Sequence, residues 1–266
     1  MNQSIPLWPD GAVPTPDGLN PPAETPHMTL YPAAGPGAAG FVVICPGGGY
    51  THRAPHEGEP IARLLNAEGI GAGVLAYRVA PHRYPVPQMD AGRAIRLARA
   101  RAADWNLKPD KIGILGFSAG GHLAASAALL AEEGDPGSAD PVARFSARPD
   151  AAVLGYPVIS FGEWGYSGTR QNLLGPQPAA ADLERLSLDK QVTARTPPVF
   201  LWHTANDAAV PVQNSLLLAQ SLASRRIPFE LHVFPDGRHG LGLAPDHPIV
   251  RQWGPLCTAW LRSLGF

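Results

Sequence analysis

One stretch of this sequence, residues 111–131, restricts the folds open to the chain more than any other. Residues 112–115 form a short, apolar run rich in β-branched side chains, which predicts a buried strand. From residue 119 to residue 131 the sequence consists mostly of Ala and Leu, which favour a buried helix. Between them lies G-F-S-A-G (116–120). The pattern predicts a strand that turns directly into a helix, with a serine at the turn.

The two glycines that flank Ser118 have a steric reason. A strand that turns at once into a helix forces the central residue into a strained backbone region, and side chains at the flanking positions would collide. Ser118 is then raised to the tip of the turn, where the first N–H groups of the helix face any negative charge beside it. This is the G-x-S-x-G pattern of a nucleophile elbow, and we interpret Ser118 as a nucleophile. The alternative is a Gly-rich turn that serves packing or phosphate binding.

Length and composition limit the class of protein. With 266 residues, 45% of them apolar, the chain can bury one substantial core, so residues 1–266 are predicted to form a single domain. The 21 basic and 22 acidic residues leave a net charge of -1, and neither nucleic acid nor a membrane is an expected partner. No apolar run is long enough to span a bilayer, and the first 20 residues lack a signal pattern. A trimmed export signal would leave no trace, so the compartment stays open, as does the oligomeric state.

The two cysteines, Cys45 and Cys257, lie far apart in the sequence, one at the end of a predicted strand and one in the last predicted helix. We expect packed free thiols and no disulfide. No C-x-x-C or H-E-x-x-H spacing occurs. The sequence therefore predicts no metal site and implies no cofactor.

Strands and helices alternate along the chain after an extended, Pro-rich arm at residues 1–27. Strands are predicted at 28–31 (a short edge strand), 41–45, 71–77, 111–115, 151–154, 199–204 and 228–234, and helices at 59–68, 88–105, 119–134, 179–185, 211–225 and 247–264. The arginines of the second helix, Arg93, Arg96, Arg99 and Arg101, are expected to face mostly solvent. Residues 155–198 are irregular and predict a small cap-like insertion. The alternation predicts an α/β fold with a mostly parallel sheet and helices on both faces.

Three side chains with complementary chemistry follow predicted strands. A serine hydroxyl needs a base within hydrogen-bond distance and an acid that orients the base, and in α/β-hydrolases the order along the chain is Ser, acid, His. After Ser118, Asp207 lies between a strand and the next helix, and His239 lies on a Gly-flanked loop after the last strand. Because binding residues gather at the carboxyl ends of parallel strands, we expect the three to converge. Asp236 and, less strongly, Asp246 are the alternatives for the acid.

A glycine triplet follows the strand at residues 41–45. The backbone N–H groups of Gly48, Gly49 and Ala119 are the predicted donors to a tetrahedral oxyanion. The triplet matches an HGGG-type motif, with Pro46 at the position of the histidine, so the rigidity of the loop must come from elsewhere.

Other polar and aromatic side chains lie near these positions in the sequence. Tyr50, His203 and Trp164 are candidates for substrate contact, although each is also compatible with simple packing. His122, on the helix after the elbow, is expected to be a hydrogen-bonded core residue.

Seven motifs together resemble the acetyl esterase and acetylxylan esterase branch of the α/β-hydrolases, a group often described as endo-xylanase-like or feruloyl-esterase-like. They are P-G-G-G-Y (46–50), H-E-G (56–58), Y-R-V-A-P (77–81), D-A-G-R-A-I (90–95), G-F-S-A-G-G-H-L (116–123), L-W-H-T-A-N-D-A-A-V-P (201–211) and F-P-D-G-R-H-G-L (234–241). The resemblance covers about residues 28–264. It implies an α/β-hydrolase fold, a triad of Ser118, Asp207 and His239, and removal of acetyl groups from xylose-type sugars.

Other functions are compatible with the same motifs. Some relatives of this branch are similar to feruloyl or glucuronoyl esterases. A serine peptidase of the prolyl-oligopeptidase type shares the elbow and the triad order, but such enzymes usually carry a large propeller or a long cap. A scaffold that only binds a partner is a third possibility, and the complete set of Ser, Asp and His argues against it.

Overall fold

The computed structural model describes residues 3–9, 13–19, 25–35 and 37–266, and these contain one eight-stranded sheet. The strands are β1 (Gln3–Pro6), β2 (His27–Tyr31), β3 (Ala39–Cys45), β4 (Gly71–Ala76), β5 (Leu107–Phe117), β6 (Ala152–Gly155), β7 (Val199–Thr204) and β8 (Phe229–Phe234). Their spatial order is β1-β2-β4-β3-β5-β6-β7-β8. The pairs β1/β2 and β2/β4 are antiparallel, and all the other pairs are parallel. The predicted mostly parallel sheet is confirmed.

Helices cover both faces of this sheet. They are α1 (Glu59–Ala67), α2 (Val86–Ala100), α3 (Ser118–Leu129), α4 (Ser167–Leu174), α5 (Ala180–Arg185), α6 (Gln213–Ser224) and α7 (Trp253–Ser263). Successive side chains of β3 enter two separate cores: Val43 packs with residues of α2, α3 and α6, whereas Val42 packs with residues of α1 and α7. A strand that is buried on both faces reads as a continuous apolar run, which is why these strands were recognisable from the sequence.

The N-terminal arm differs from the prediction in its first described residues. Residues Gln3–Pro6 form β1, which pairs with β2 and makes the edge of the sheet, so β2 is an interior strand and the predicted edge position is wrong. The next side chain, Leu7, is fully buried. A four-residue strand next to prolines gives little periodic signal, so only its partner strand reveals it. Residues 1–2, 10–12 and 20–24 of the predicted arm lie outside the described residues.

The prediction that the arginines of α2 face mostly solvent is wrong for Arg93 and inaccurate for Arg96 and Arg99. The Arg93 side chain is buried; its Nε donates to the carbonyl oxygen of Leu7 at 2.7 Å and one terminal nitrogen to Asp140 at 2.5 Å. The other two side chains are largely covered as well, and each donates to backbone carbonyls of neighbouring loops. A guanidinium group carries several donors, so it can satisfy loop carbonyls that no helix or strand would pair.

The segment between β6 and β7 contains two helices, of which the sequence predicted one. The predicted helix at 179–185 corresponds to α5, whereas α4 was missed. Because α4 begins with Ser, Gly and Thr, its intrinsic helix propensity is low. It is held by tertiary contacts, among them a hydrogen bond of 2.8 Å from Asn172 Nδ2 to the carbonyl oxygen of Gly49. The segment therefore lies against the loop that follows β3.

The cysteines are as predicted. Cys45 and Cys257 are both buried free thiols, and burial raises the pKa of each well above its usual range. Across the described ranges, no helix is both long enough and apolar enough to cross a bilayer.

Candidate active site

The turn at Ser118 has the strained geometry that its glycines indicated. Ser118 is the first residue of α3, directly after β5, and its φ of 53° lies in the left-handed region. A Cβ atom at Gly116 would lie 2.0 Å from the carbonyl oxygen of Gly120, and one at Gly120 would lie 2.1 Å from that of Cys45. Because no side chain fits at either position, the turn can pack closely against the end of β3.

The structure brings Ser118, His239 and Asp207 into one hydrogen-bonded chain. His239 Nε2 lies 2.8 Å from Ser118 Oγ, and His239 Nδ1 lies 2.7 Å from Asp207 Oδ2. Since a carboxylate can only accept, Nδ1 carries the proton and Nε2 is free to accept the hydroxyl proton. The three residues follow β5, β7 and β8, whose carboxyl ends meet at one edge of the sheet.

Asp207 is held as a carboxylate by several donors. Its Oδ1 accepts the backbone N–H groups of Ala209 and Val210, both at 2.9 Å. Burial acts to raise its pKa, but hydrogen bonds from His203, His239 and Val210, together with the charge of His239, outweigh burial and hold the pKa well below its usual range. The group is therefore ionised at any pH at which His239 could act as a base.

The two alternative acids lie elsewhere. Asp236 is exposed and its Oδ1 pairs with Asn206 Nδ2. Asp246 lines a surface groove of about 390 Å³ on the far side of the loop that follows His239. The geometry thus favours Asp207 over both.

The loop after β3, residues 46–50, presents backbone N–H groups beside Ser118. Every carbonyl oxygen of the loop already accepts a hydrogen bond; the donors, from Pro46 to Tyr50, are Tyr77 Oη, Ala54 N, Thr51 N, Asn172 Nδ2 and Ala80 N. Within the described ranges, the N–H groups of Gly48, Gly49 and Ala119 donate to no acceptor. The loop is therefore fixed through its carbonyls and leaves these donors free for a ligand oxygen.

The stiffness that Pro46 does not supply comes from Glu57 and Tyr77. Glu57 Oε2 accepts the backbone N–H of Gly47 at 2.7 Å, and Tyr77 Oη donates to the carbonyl oxygen of Pro46 at 2.6 Å. A Cβ atom at Gly47 would lie 3.1 Å from Ser118 Cβ, so the braced loop lies directly against the serine.

The predicted substrate contacts of Tyr50 and His203 are corrected by their burial, because neither side chain is exposed. His203 lies behind Asp207: its Nε2 donates to the carbonyl oxygen of Val210 at 2.9 Å and lies 3.5 Å from Asp207 Oδ2. Its Nδ1 accepts the hydroxyl proton of Ser215 at 2.8 Å. His203 therefore supports the acid and cannot contact a substrate. Trp164, by contrast, is 36% exposed on the segment that follows β6.

Tyr50 and His122 form a buried pair beneath the loop. His122 Nε2 donates to the carbonyl oxygen of Leu186 at 3.0 Å, so its Nδ1 accepts the Tyr50 hydroxyl proton at 3.0 Å. Burial lowers the pKa of His122 to about 4. His122 is thus a neutral, hydrogen-bonded core residue, as the sequence predicted.

Sequence reasoning missed three residues of this site: Glu57, Tyr156 and Asn172. Glu57 and Tyr156 are buried and hydrogen-bonded to each other at 2.5 Å, and Tyr156 packs its ring against His239 with the centroids 5.0 Å apart. Glu57 lies in the H-E-G motif at residues 56–58, which was the one available signal. Nothing in the local sequence identifies the other two.

The chain matches one protein family model and several enzymes of known sequence. The BD-FAE family model matches residues 29–222. Endo-1,4-beta-xylanase B of Butyrivibrio fibrisolvens is 40% identical over 214 residues, which cover 77% of this chain and 33% of that protein. An acetylxylan esterase of Xylanibacter ruminicola is 30% identical over 236 residues, covering 84% of this chain and 45% of that protein. The chain spans between a third and half of the length of these two relatives.

Solved structures have the same fold. The acetyl ester-xyloside bifunctional hydrolase of Caldicellulosiruptor lactoaceticus superposes with a TM-score of 0.96 at 47% identity, covering 99% of this chain and 97% of that one. MGS-M1, an alpha/beta hydrolase enzyme from a Medee basin deep-sea metagenome library, superposes with a TM-score of 0.74 at 28% identity, covering 99% and 97%. The predicted α/β-hydrolase fold and the resemblance to its esterase branch are confirmed.

The buried pair beneath the loop predicts a specific pH dependence of stability. Because the pKa of His122 is about 4 in the folded chain and an ordinary histidine titrates near 6.5, its contribution is complete above pH 6.5 and is lost as the pH falls toward 4. We expect this residue to remove about 3 kcal/mol of unfolding free energy over that interval. His122→Gln, which keeps a donor and an acceptor, should show a correspondingly flatter profile in urea titrations at a series of pH values.

The exposed His52 provides the control. His52→Gln should keep the wild-type slope between pH 6.5 and 4. A His122→Gln profile parallel to that of the wild type would show that another group causes the acid destabilisation.

Proposed function

The chain belongs to the BD-FAE family of the α/β-hydrolases, and on that premise we propose that it is a serine carboxylesterase acting on short acyl esters. The reaction removes acetyl groups from xylose-type sugars or xylooligosaccharides through an acyl-enzyme on Ser118. One observation carries the proposal: the hydrogen-bonded chain from Ser118 through His239 to Asp207 lies beside three backbone donors for which the described residues supply no acceptor. The names of two relatives, an acetylxylan esterase and an acetyl ester-xyloside bifunctional hydrolase, support the choice of acyl group and sugar.

The first half of the reaction acylates Ser118. The hydroxyl oxygen attacks the ester carbonyl carbon while His239 Nε2 accepts its proton, and Asp207 stabilises the resulting imidazolium. The negative charge that develops on the carbonyl oxygen is stabilised by the N–H groups of Gly48, Gly49 and Ala119, each contributing about 3 kcal/mol to lowering the barrier. As the tetrahedral intermediate collapses, the C–O bond to the sugar breaks and His239 returns the proton to the leaving alkoxide.

The second half hydrolyses the acyl-enzyme. His239 takes a proton from a water molecule, whose oxygen attacks the acyl carbon, and the same donors stabilise the second oxyanion. Collapse of this intermediate releases the carboxylic acid, and the proton on His239 returns to Ser118 Oγ. The chain's own residues provide every proton transfer in the cycle.

We assign to Trp164 the role of a platform for the sugar. The segment that carries Trp164 is hydrogen-bonded to the nucleophile residue: the N–H of Val158 donates to the carbonyl oxygen of Ser118 at 3.2 Å. Asn214 fixes this segment: its Oδ1 accepts the N–H groups of Ile159 and Ser160, and its Nδ2 donates to the carbonyl oxygen of Trp164 at 2.9 Å. An exposed indole held in this way can stack on the apolar face of a pyranose.

A panel of esters tests the reaction class. Acetylated xylooligosaccharides should release acetate faster than methyl ferulate or a glucuronoyl ester releases its acid, and a proline anilide should not react. Ser118→Ala should lose at least about five orders of magnitude in kcat while keeping its circular dichroism spectrum and melting temperature, because it lacks the nucleophile. Faster release of ferulate or glucuronate would change the acyl group assigned here, cleavage of the anilide would indicate a peptidase, and substantial turnover by Ser118→Ala would rule out an acyl-enzyme at this serine.

The two candidate acids, Asp207 and Asp236, should behave differently. Asp207→Asn removes the acceptor that fixes the imidazole tautomer and should lower kcat on p-nitrophenyl acetate by about 10⁴-fold. Asp236→Asn alters an exposed side chain that does not contact the imidazole, and its kcat should stay within about threefold of the wild type. The reverse ranking would transfer the role of the acid to Asp236.

Replacement of Trp164 should affect long substrates only. Trp164→Ala removes the stacking surface and is expected to raise KM for acetylated xylooligosaccharides about tenfold, with p-nitrophenyl acetate kinetics unchanged. Phe145 is a matched control, because it is 37% exposed on the connection that leads to the amino end of β6, away from Ser118. An equal rise of KM in Phe145→Ala, or none in Trp164→Ala, would contradict the platform.

A further inference from the structure

A buried carboxylate, Glu57, connects the two loops that the reaction requires. Glu57 is 2% exposed and ends the helical turn Pro55–Glu57, just before α1. Its Oε2 accepts the N–H of Gly47 at 2.7 Å, and its Oε1 accepts the hydroxyl proton of Tyr156 at 2.5 Å. The Tyr156 oxygen in turn accepts the N–H of Gly242 at 2.9 Å. The path runs from the glycine loop, through one carboxylate and one phenol, to the loop that carries His239.

Each end of this path is adjacent to a reacting group. Gly47 directly precedes the donors Gly48 and Gly49, and a Cβ atom at Gly47 would lie 2.7 Å from Glu57 Oε2 and 3.1 Å from Ser118 Cβ. At the other end, the Tyr156 ring lies edge-on to the imidazole of His239, with the centroids 5.0 Å apart. The path therefore connects a residue that lies against Ser118 with a ring that lies against His239.

Neighbouring groups hold the His239 loop in the same position. His56 Nε2 donates to the carbonyl oxygen of Gly240 at 3.0 Å, and Trp253 Nε1 donates to that of Gly242 at 3.0 Å. Gly242 is thus held at both its carbonyl oxygen and its N–H, and the N–H is the contact that leads to Glu57.

The charge of Glu57 is costly at this place. Among the described residues, its carboxylate contacts the donors of Gly47 and Tyr156, and the nearest basic nitrogen is His56 Nε2 at 3.7 Å. A carboxylate that is buried without a close Lys or Arg destabilises a fold unless its hydrogen bonds compensate, and a well-packed apolar side chain usually costs less. A role in stability alone therefore does not account for it.

We propose that Glu57 is a positioning residue, which sets the distance between the oxyanion donors at Gly48 and Gly49 and the imidazole of His239. This inference rests on the proposed esterase function. Both hydrogen bonds are donated to Glu57, so its position uses two acceptor oxygens at once, which a carboxylate supplies and an amide does not. Fixing these two loops relative to each other matters in the transition state, where the oxyanion and the imidazolium must be stabilised together.

An isosteric substitution breaks this arrangement at one point. In Glu57→Gln the amide oxygen can accept either the Gly47 N–H or the Tyr156 hydroxyl proton. In the first orientation the NH₂ can donate to the phenol oxygen, but the hydroxyl proton loses its acceptor; in the second the NH₂ faces the Gly47 N–H. Tyr156→Phe breaks the path from the other side while it keeps the ring that packs against His239. Because the two changes interrupt one path, their effects should not add.

The kinetics of p-nitrophenyl acetate hydrolysis test the inference. Glu57→Gln is expected to lower kcat about 30-fold with KM within about twofold, because it disturbs the transition state more than substrate binding. Tyr156→Phe should lower kcat about tenfold, and the double variant should lie within about twofold of the lower single variant. Each kcat is calculated per Ser118 labelled by an organophosphate, so unfolded molecules do not contribute.

Asp150 supplies the matched control. This partly buried carboxylate accepts a backbone N–H from Ile112 at 2.8 Å and binds Arg99 at 2.8 Å; it lies just before the amino end of β6, and Ile112 is in the middle of β5, away from Ser118. Asp150→Asn should lower the melting temperature and leave kcat within about twofold of the wild type.

Three results would overturn the inference: an unchanged kcat in both Glu57→Gln and Tyr156→Phe, a loss confined to KM, or strict additivity in the double variant. Should Glu57→Gln fail to fold, Tyr156→Phe alone decides by the same split between kcat and KM. Failure of the proposed function gives a different outcome, because the wild-type chain would then neither hydrolyse the ester nor be labelled at Ser118.

Discussion

The close approach of two backbone segments determines the rest of the site. The turn from β5 into α3 packs so tightly against the end of β3 that Gly120 has no room for a Cβ atom, and the turn itself is so tight that Gly116 has none either. This contact holds Ser118 in a left-handed conformation at the carboxyl edge of the sheet and brings the glycine loop beside it. Without it, the hydroxyl and the backbone donors would be separate features of the surface.

Around this contact, the structure fixes polar groups by giving each one a partner of the opposite kind. Every carbonyl oxygen of the glycine loop accepts a hydrogen bond, and among the described residues the N–H groups of Gly48 and Gly49 have no acceptor. Asp207 accepts from two backbone N–H groups and from His239, and His203 packs behind it with both ring nitrogens satisfied. A buried polar group without a partner costs stability, so these networks admit few alternative arrangements, and the site is rigid before a substrate arrives.

Much of this organisation could be predicted from the sequence, and the failures have physical causes. The strands β3, β5 and β7 were found because strands buried on both faces read as continuous apolar runs. Ser118, Asp207 and His239 were selected because each follows a predicted strand. Tyr50 and His203 were assigned to the substrate because proximity to a motif does not reveal which way a side chain points.

Helix α4 and the buried Arg93 were missed for a related reason, since both depend on partners that are distant in the chain. Asn172 on α4 is bound to Gly49, and Arg93 is bound to Leu7 and Asp140. Local propensity and charge are properties of a segment, whereas these contacts are properties of the folded chain.

The sequence by itself determined most of the strands and helices, the turn at Ser118, and the kind of chemistry that a serine, a histidine and a carboxylate can perform together. These follow from local sterics and from the periodicity of apolar residues, which act over a few residues. Only the tertiary structure decided which aspartate faces His239 and that Glu57 and Tyr156 connect the glycine loop to the histidine loop. Hydrogen bonds of this kind join residues up to 99 positions apart, and no local pattern encodes such a distance.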